Sequence, residues 1–205
     1  GATGIYEAVQ LFGYDIVTEE GTEFALRLIG TLNAVAEKAQ IKFKSPHNLE
    51  QVPGESSTVK LAEKDVVMGY NKTNVPFYSN QFVPLIVNVD MLERIRLQGI
   101  FDNKFSGGAI AHINLDEQLS DDKDMVLLIE RCINDGVIYW AANYNTQRCE
   151  EGHMRIGKTD VCDCGADITD NYQRVVGFLT NVDNWNKTRR VKDYPNRQHY
   201  KQISL

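Results

Sequence analysis

No apolar run in this chain approaches the ~20 residues that a membrane-spanning helix requires, so the sequence offers no transmembrane segment. The N-terminus, Gly1-Ala2-Thr3-Gly4-Ile5-Tyr6, has no basic stretch leading into an apolar core, so it does not read as a secretion signal. An initiator methionine is missing too, and the start reads as the middle of a longer protein. Positive charge is in deficit. With 22 Lys+Arg against 28 Asp+Glu the formal net charge is −6, which speaks against a general nucleic-acid binder. Internal repeats and low-complexity stretches are absent. Asn71-Lys72-Thr73 and Asn186-Lys187-Thr188 fit the glycosylation pattern, but without a secretion signal they read as chance. Cysteine is scarce, and three of the four cysteines fall between 149 and 164. That clustering points to metal ligation in a reducing cytoplasm more than to a disulfide framework.

What is present is a globular composition, 42% hydrophobic and 24% charged, enough for one large or two small domains. Ile5 to Phe12 reads as a short helix. From Glu23 to Ala39, Phe24, Leu28, Leu32, Val35, Ala36 and Ala39 recur at helical spacing and predict an amphipathic helix with one buried stripe. Ile41-Lys42-Phe43 reads as a short strand. Pro53-Gly54 marks a turn ahead of another helix. Val83 to Val89 reads as a buried strand, with Pro84 near an edge or bulge, and Met91 to Leu97 as a helix. After Gly107-Gly108, Ala109 to Leu115 alternates as a strand with His112 in its middle. Lys123 to Asn134 is a helix stopped by Gly136. Cys132 shares its apolar face with Met125, Leu128, Ile129 and Ile133, and reads as a core cysteine. Val137 to Ala142 is a strand that Asn143-Tyr144-Asn145 continues. This alternation predicts an α/β arrangement through residue 145.

Near the end, Lys187, Arg189, Arg190, Lys192, Arg197 and Lys201 are opposed only by Asp193. Such a basic end reads as a solvated tail or docking strand, or else as a surface for phosphates or an acidic partner.

Cys149-Glu150-Glu151-Gly152-His153 and Cys162-Asp163-Cys164-Gly165 form two knuckle-like pairs. Four soft or borderline ligands in such a loop suit a structural, tetrahedral zinc ion. A short segment with few core residues needs a staple of this kind. Glu150, Glu151, Asp160, Asp163 and Asp167 around it argue against a nucleic-acid ligand.

Arg174-Val175-Val176-Gly177-Phe178-Leu179 places a glycine inside an apolar, strand-like run. That gives up packing and costs backbone entropy. The ordinary causes are a bulge or a close backbone approach.

The run R-V-V-G-F shortly after the Cys/His cluster resembles the glycyl-radical loop of anaerobic (class III) ribonucleotide reductases. Asn184-Trp185-Asn186-Lys187-Thr188-Arg189-Arg190 is similar to the tail of the same family. Further similarities are Leu49 to Ser56 with the pattern L-E-x-x-P-[AG]-E-S, Leu61 to Asp65 with L-A-x-x-D, and Tyr78-Ser79-Asn80 with a Y-T-N-S type element. Gly136 to Ala141 is similar to G-V-x-Y-[FW]-A. The glycine pair before the His112 strand also recurs in glycyl-radical enzymes. The chain departs from the family at the cluster, where C-x3-H and C-x-C stand in place of two C-x2-C pairs.

The resemblance implies an α/β fold: the C-terminal part of a ten-stranded α/β barrel of the glycyl-radical type, then a small zinc-binding module and a glycyl-radical loop. Residues 1–145 would be the barrel portion, 146–168 the zinc module, and 169–205 the radical loop and C-terminal tail. Gly177 would be the radical residue. Only glycine has two equivalent α-hydrogens and no Cβ to obstruct a planar carbon radical; Val175, Val176, Phe178 and Leu179 would supply a dry sleeve around it. Cys149, His153, Cys162 and Cys164 would hold zinc. Glu55 and Ser56 would hold ribose or phosphate, or would cap the following helix. Tyr78, Ser79 and Asn80 would form a substrate loop or an ordinary surface loop, and His112 would be catalytic or structural. The implied reaction is anaerobic deoxyribonucleotide biosynthesis for DNA replication in the cytoplasm, from ribonucleoside triphosphates. The implied partners are a radical activase that uses S-adenosylmethionine, an N-terminal portion that brings the thiyl cysteine, and a second copy in a homodimer; no membrane and no nucleic acid are implied. A stand-alone spare radical subunit and a non-enzymatic zinc-ribbon interaction module are the alternatives.

Overall fold

The computed structural model of the protein describes residues 1–72, 74–119 and 121–201. Thr73, which completes one glycosylation-type triplet, and residues 202–205 of the expected tail lie outside the described residues.

Helix α1 (Ile5–Leu11) leads into α2 (Glu19–Phe43), where the Thr18 side chain caps the first turn by accepting from the Gly21 N–H. The helix is longer than its apolar stripe. It absorbs Ile41-Lys42-Phe43, expected as a strand, because no residue interrupts it before Ser45-Pro46. Ala25 and Ile29 are buried, whereas Val35, Ile41 and Phe43 of the later turns stand exposed. The α1–α2 pair shares a core with Phe82, Leu97, Phe101 and Phe105.

Helix α3 (Ser56–Val67) follows the Pro53-Gly54 turn. Residues 83–89 form turns, not the expected strand. Their carbonyls are taken by a side chain: Arg94 donates to Val83 O at 2.6 Å and to Val87 O at 2.9 Å. Gln198 N–H takes Leu85 O at 2.7 Å. With those acceptors satisfied, the segment needs no neighbouring strand.

Helix α4 (Met91–Asp102) is capped by Asp90. Then β1 (Ala111–Leu115), α5 (Asp122–Asp135) and β2 (Trp140–Tyr144) form one βαβ unit. The strands pair in parallel, from Ala111 opposite Trp140 to Leu115 opposite Tyr144. All of β1 is buried, as expected of a parallel strand covered on both faces. Gly136, at φ 86°, ends α5 as the sequence indicated. Cys132 lies 1% exposed beside Leu128 and Val137, and burial pushes its thiol up to about 12. It is a core residue.

The last third is a four-stranded antiparallel sheet in the order β4 (Met154–Ile156), β3 (Thr146–Cys149), β5 (Ile168–Arg174), β6 (Leu179–Asn181). Helix α6 (Lys187–Lys192) and the tail then fold back. Tyr200 bridges to Leu115 on the open edge of β1. Among the described residues no helix is long and apolar enough to cross a membrane.

Candidate active-site cleft and metal centre

Gly177 sits in the turn between β5 and β6, not within a strand. Val175 N–H reaches Phe178 O at 3.4 Å, and Arg174 Nη1 donates to the Gly177 carbonyl at 2.6 Å. The glycine is half-buried at the wall of a cleft of about 740 Å³. The same cleft is lined by Gly107 and Gly108, together with Gln51, Asp102 and Tyr139.

The glycine pair answers a steric demand. A Cβ at Gly107 would come within 3.0 Å of Asn48 and Glu50 side chains, and Gly108 has φ +100°. The backbone of 49–51 runs against it, with Gly107 N–H to Leu49 O at 2.7 Å and Gln51 N–H to Gly108 O at 3.0 Å. Gly177 answers no such demand. A Cβ there would meet nothing within 4 Å, and its φ lies outside the left-handed region. The apolar sleeve expected around it is half-formed. Val175 and Val176 are buried, but Phe178 is 76% and Leu179 55% exposed. The turn points both of them outward.

A buried charge cluster holds this turn. Asp193 accepts from Arg189 Nη1 at 2.8 Å, from Arg197 Nε at 2.7 Å and from Arg197 Nη2 at 2.8 Å. All three residues are buried. Arg197 also donates to the carbonyls of Arg174 (2.6 Å) and Val175 (2.9 Å). Arg189 donates to Gly54 O at 3.3 Å and Thr58 Oγ1 at 2.8 Å. Glu55 Oε1 accepts the Asn186 N–H at 2.9 Å. The basic C-terminal end is thus partly turned inward, where it fastens the 174–178 turn to the loop before α3. Burial alone pushes the Asp193 carboxyl up, but Arg197 and Arg189 outweigh it and hold it below the usual carboxylate range.

A second network lies behind the turn. Asn143 Oδ1 accepts Arg174 N–H, Asn143 donates to Asn114, and Gln173 donates to Asn145 and faces His199 Nε2 at 2.7 Å. Arg197 donates to Gln173 Oε1, so the Gln173 amide must present N–H to His199, and so must Asn145. His199 Nε2 is therefore an acceptor and the ring is neutral; burial lowers its pKa accordingly.

The other expected substrate residues are scattered. Glu55 does not cap α3, because no side-chain cap bond forms there; its carboxylate docks the tail instead. Ser56 opens α3 and is exposed. Tyr78 OH donates to Asp65 at 2.7 Å, and burial, then Asp65, push it up to about 12. Ser79 and Asn80 are buried, with Ser79 Oγ on Gln81 O. His112 is 1% exposed, and among the described residues neither ring nitrogen has a partner. Burial pushes it down to about 3, so it is a neutral, unsatisfied core histidine. None of these six lines the cleft beside Gly177. Arg174, inside the quoted motif, and Gln51 and Tyr139 on the cleft were not singled out; nothing in spacing alone marks them.

The four expected metal ligands do converge. Ligand atoms of Cys149, His153, Cys162 and Cys164 lie within 4.8 Å of one another, with the sulfurs of Cys149 and Cys164 3.9 Å apart. Thiolates about 2.3 Å from a tetrahedral ion lie about 3.8 Å apart, so the set fits zinc. The two halves share one backbone device. Each starts with a cysteine whose carbonyl accepts from a glycine three residues on, Gly152 and Gly165, both at positive φ. The tight C-x-C is accommodated because only Cys162 starts its turn, while Cys164 stands in mid-turn. Arg155 ties the halves together through Asp163 at 3.2 Å. Cys149 and Ile168 face each other at one end of the sheet. Arg174 ends the seven-residue β5 at the other, about 20 Å away at about 3.3 Å per residue.

The model of the anaerobic ribonucleoside-triphosphate reductase family matches residues 1–200, and the chain belongs to that family. Among solved structures, an anaerobic ribonucleotide reductase superposes with TM-score 0.88 at 39% identity, covering 98% of this chain and 33% of that one. The anaerobic ribonucleotide reductase from Thermotoga maritima with glycerol in the active site gives TM-score 0.81 at 39% identity, covering 94% and 33%. The same reductase in complex with dATP and CTP gives 0.79 at 38%, covering 92% and 32%. No curated protein sequence matches. The chain spans about a third of the length of these solved relatives.

Proposed function

We propose that this chain carries the glycyl-radical end of an anaerobic ribonucleotide reductase that converts ribonucleoside triphosphates to deoxyribonucleoside triphosphates, with Gly177 as the radical residue. The observation that carries the proposal is the idle glycine. Neither a close neighbour nor a left-handed φ requires a bare α-carbon at 177, so packing does not explain it, and α-carbon radical chemistry does. Its place on a 740 Å³ cleft beside Gly107 and Gly108 supports the reading.

In this reading residues 1–145 belong to the ten-stranded barrel, 146–168 form the zinc module, and 169–205 form the radical loop and tail. Zinc held by Cys149, His153, Cys162 and Cys164 staples the sheet that carries the loop. A radical activase with S-adenosylmethionine removes one Gly177 hydrogen. The radical then passes to a thiyl cysteine, supplied by the reductase portion outside this chain, on the same or a separate polypeptide. The thiyl takes the ribose 3′-hydrogen, and the 2′-hydroxyl leaves as water. A two-electron reductant, formate or a thiol protein, supplies the reducing equivalents that place hydrogen at C2′, and the 3′-hydrogen is returned to regenerate the thiyl. A homodimer in a reducing cytoplasm completes the proposal. The family match through residues 1–145 speaks against a spare radical subunit or a bare zinc-ribbon module, neither of which needs that portion.

The test is anaerobic activation of the complete reductase, followed by electron paramagnetic resonance. A glycyl doublet is expected, and exposure to air should cut the chain at 177. Gly177→Ala introduces a Cβ into open space, so it should fold, keep zinc, and lose both signals. A surviving doublet in that variant refutes the site.

A further inference from the structure

Arg174 ends β5 with both main-chain groups already fastened. Its N–H donates to Asn143 Oδ1 at 3.1 Å and its carbonyl accepts from Arg197 Nη1 at 2.6 Å. The side chain is therefore not needed to hold its own backbone. It turns forward, and Nη1 donates to the Gly177 carbonyl at 2.6 Å. Among the described residues no carboxylate lies within 4.0 Å of this guanidinium. Arg174 is half-buried, whereas the fully buried arginines nearby, Arg189 and Arg197, are neutralised by Asp193. Arg174 alone sets an unneutralised cation on the glycine that packing does not explain.

We propose that Arg174 is a positioning and tuning residue for the Gly177 radical, its guanidinium stabilising the charge that gathers on the Gly177 carbonyl oxygen once the α-carbon is unpaired. The inference rests on Gly177 being the radical residue.

One Cα–H bond of Gly177 breaks homolytically. The hydrogen atom, with one electron, forms a new C–H bond on the carbon-centred radical delivered by the activase, and the second electron stays on Cα. The Gly177 amide nitrogen donates into that centre while its carbonyl withdraws. The oxygen becomes more negative than in the closed-shell peptide. A fixed cation on that oxygen is worth more to the radical than to the resting glycine, as for any donor placed where charge develops. Charge-assisted bonds are about twice as strong as neutral ones. A neutral hydrogen bond would close the same turn, but it would not give this differential. The bond also holds the carbonyl near the plane that delocalisation requires.

The experiment uses the complete, anaerobically activated reductase, with Arg174→Met and Arg174→Lys beside wild type. Zinc content and circular dichroism check folding. Arg174→Met should keep the doublet with a larger high-field g-shift, because an oxygen without its donor carries more spin. Its lifetime should fall on the order of tenfold. Arg174→Lys should move both readouts back toward wild type. Equal g-values and decay in wild type and Arg174→Met overturn the proposal. Wild-type enzyme with 15N in its arginine side chains gives a measurement independent of either variant. A weak guanidinium nitrogen coupling to the radical is expected, and its absence overturns the proposal even if both variants misfold. A wild-type enzyme that forms no glycyl doublet refutes the Gly177 reading itself, a distinct result.

Discussion

Asp193→Asn changes one atom in the cluster that fastens the 174–178 turn. The amide keeps the carboxylate's shape but loses its charge and one acceptor. Oδ1 serves Arg197 Nε, and Oδ2 serves Arg189 Nη1 and Arg197 Nη2. Whichever way the amide is placed, its NH2 meets a guanidinium N–H. Two buried cations, with side chains 2% and 1% exposed, lose their shared counter-charge. Breaking one partner out of a buried pair costs about 3–5 kcal/mol. The remaining acceptors, Gly54 O, Glu55 O, Thr58 Oγ1, Tyr78 O, Gln173 Oε1, Arg174 O and Val175 O, are neutral and do not replace it. Hydrogen exchange reads the loss locally. At about 1.4 kcal/mol per decade, amides of β5 and of the tail that returns to it should lose about two to three and a half decades of protection. Amides of α4 belong to other cores and should hold. Because the Asp193 pKa is lowered in the fold, its contribution is present above the ordinary carboxylate pKa and is lost as pH falls through the folded value. The defect should therefore be constant from about pH 5 to 8. A loss below one decade, or one spread evenly through the chain, refutes the view that this cluster fastens the loop.

The other predictions concern acid, packing and metal. Burial raises Glu7 to about 7 and lowers His112 to about 3. Between pH 7 and 4.5 the folded Glu7 holds a proton that the unfolded chain has released, so acid stabilises through Glu7. From about pH 6.5 down, the unfolded chain takes a proton that His112 refuses, so acid destabilises through His112 until about pH 3. Replacing Glu7 with Gln should remove the first effect, so urea denaturation at pH 7 and 4.5 should show the wild type gaining about 2–3 kcal/mol relative to the variant on acidification; no difference would mean that the Glu7 carboxyl is solvated. Gly99→Ala drives a Cβ to 1.8 Å from Asp135 O and should cost about 1–3 kcal/mol by the same assay, whereas Gly177→Ala should cost little. Cys149→Ser should lower zinc content measured by atomic absorption, and should reduce radical yield without altering the shape of the doublet; a changed hyperfine pattern would place the metal too close.

Periodicity made the helices and the βαβ unit legible. Thr18, Asp90 and Asp121 cap where side-chain chemistry allows, and Gly136 stops α5 at φ 86°. The same apolar-run logic failed at 83–89, because it counts apolar residues and cannot see that a distant guanidinium, Arg94, takes the carbonyls. It failed again at Ile41-Lys42-Phe43, where three residues carry no period of their own and the preceding helix ran on. The Cys/His cluster was legible because thiols and imidazole lie together in sequence as they do in space. The tertiary partners of the residues read as substrate contacts were not legible. Glu55, Tyr78 and His112 were chosen from a pattern, and tertiary partners alone decide whether such groups dock a tail, bond a carboxylate or sit neutral in a core. For the basic tail the docking reading holds: Arg189, Asp193 and Arg197 stand at i, i+4 spacing and pair, but net charge alone does not report that they are buried.

The four-stranded sheet behaves as a beam with two supports. The knuckles clamp one end, and at the other β5 delivers Gly177 into the turn that Arg197 and Asp193 hold. Tilting a beam of about 20 Å by about 5° moves its tip by about 2 Å, and a misplacement of about 1 Å can cost a hundredfold in rate. Rigidity at the clamp therefore becomes aim at the tip. In the proposed reading, a zinc ion too remote to touch the unpaired electron would still govern where that electron is held.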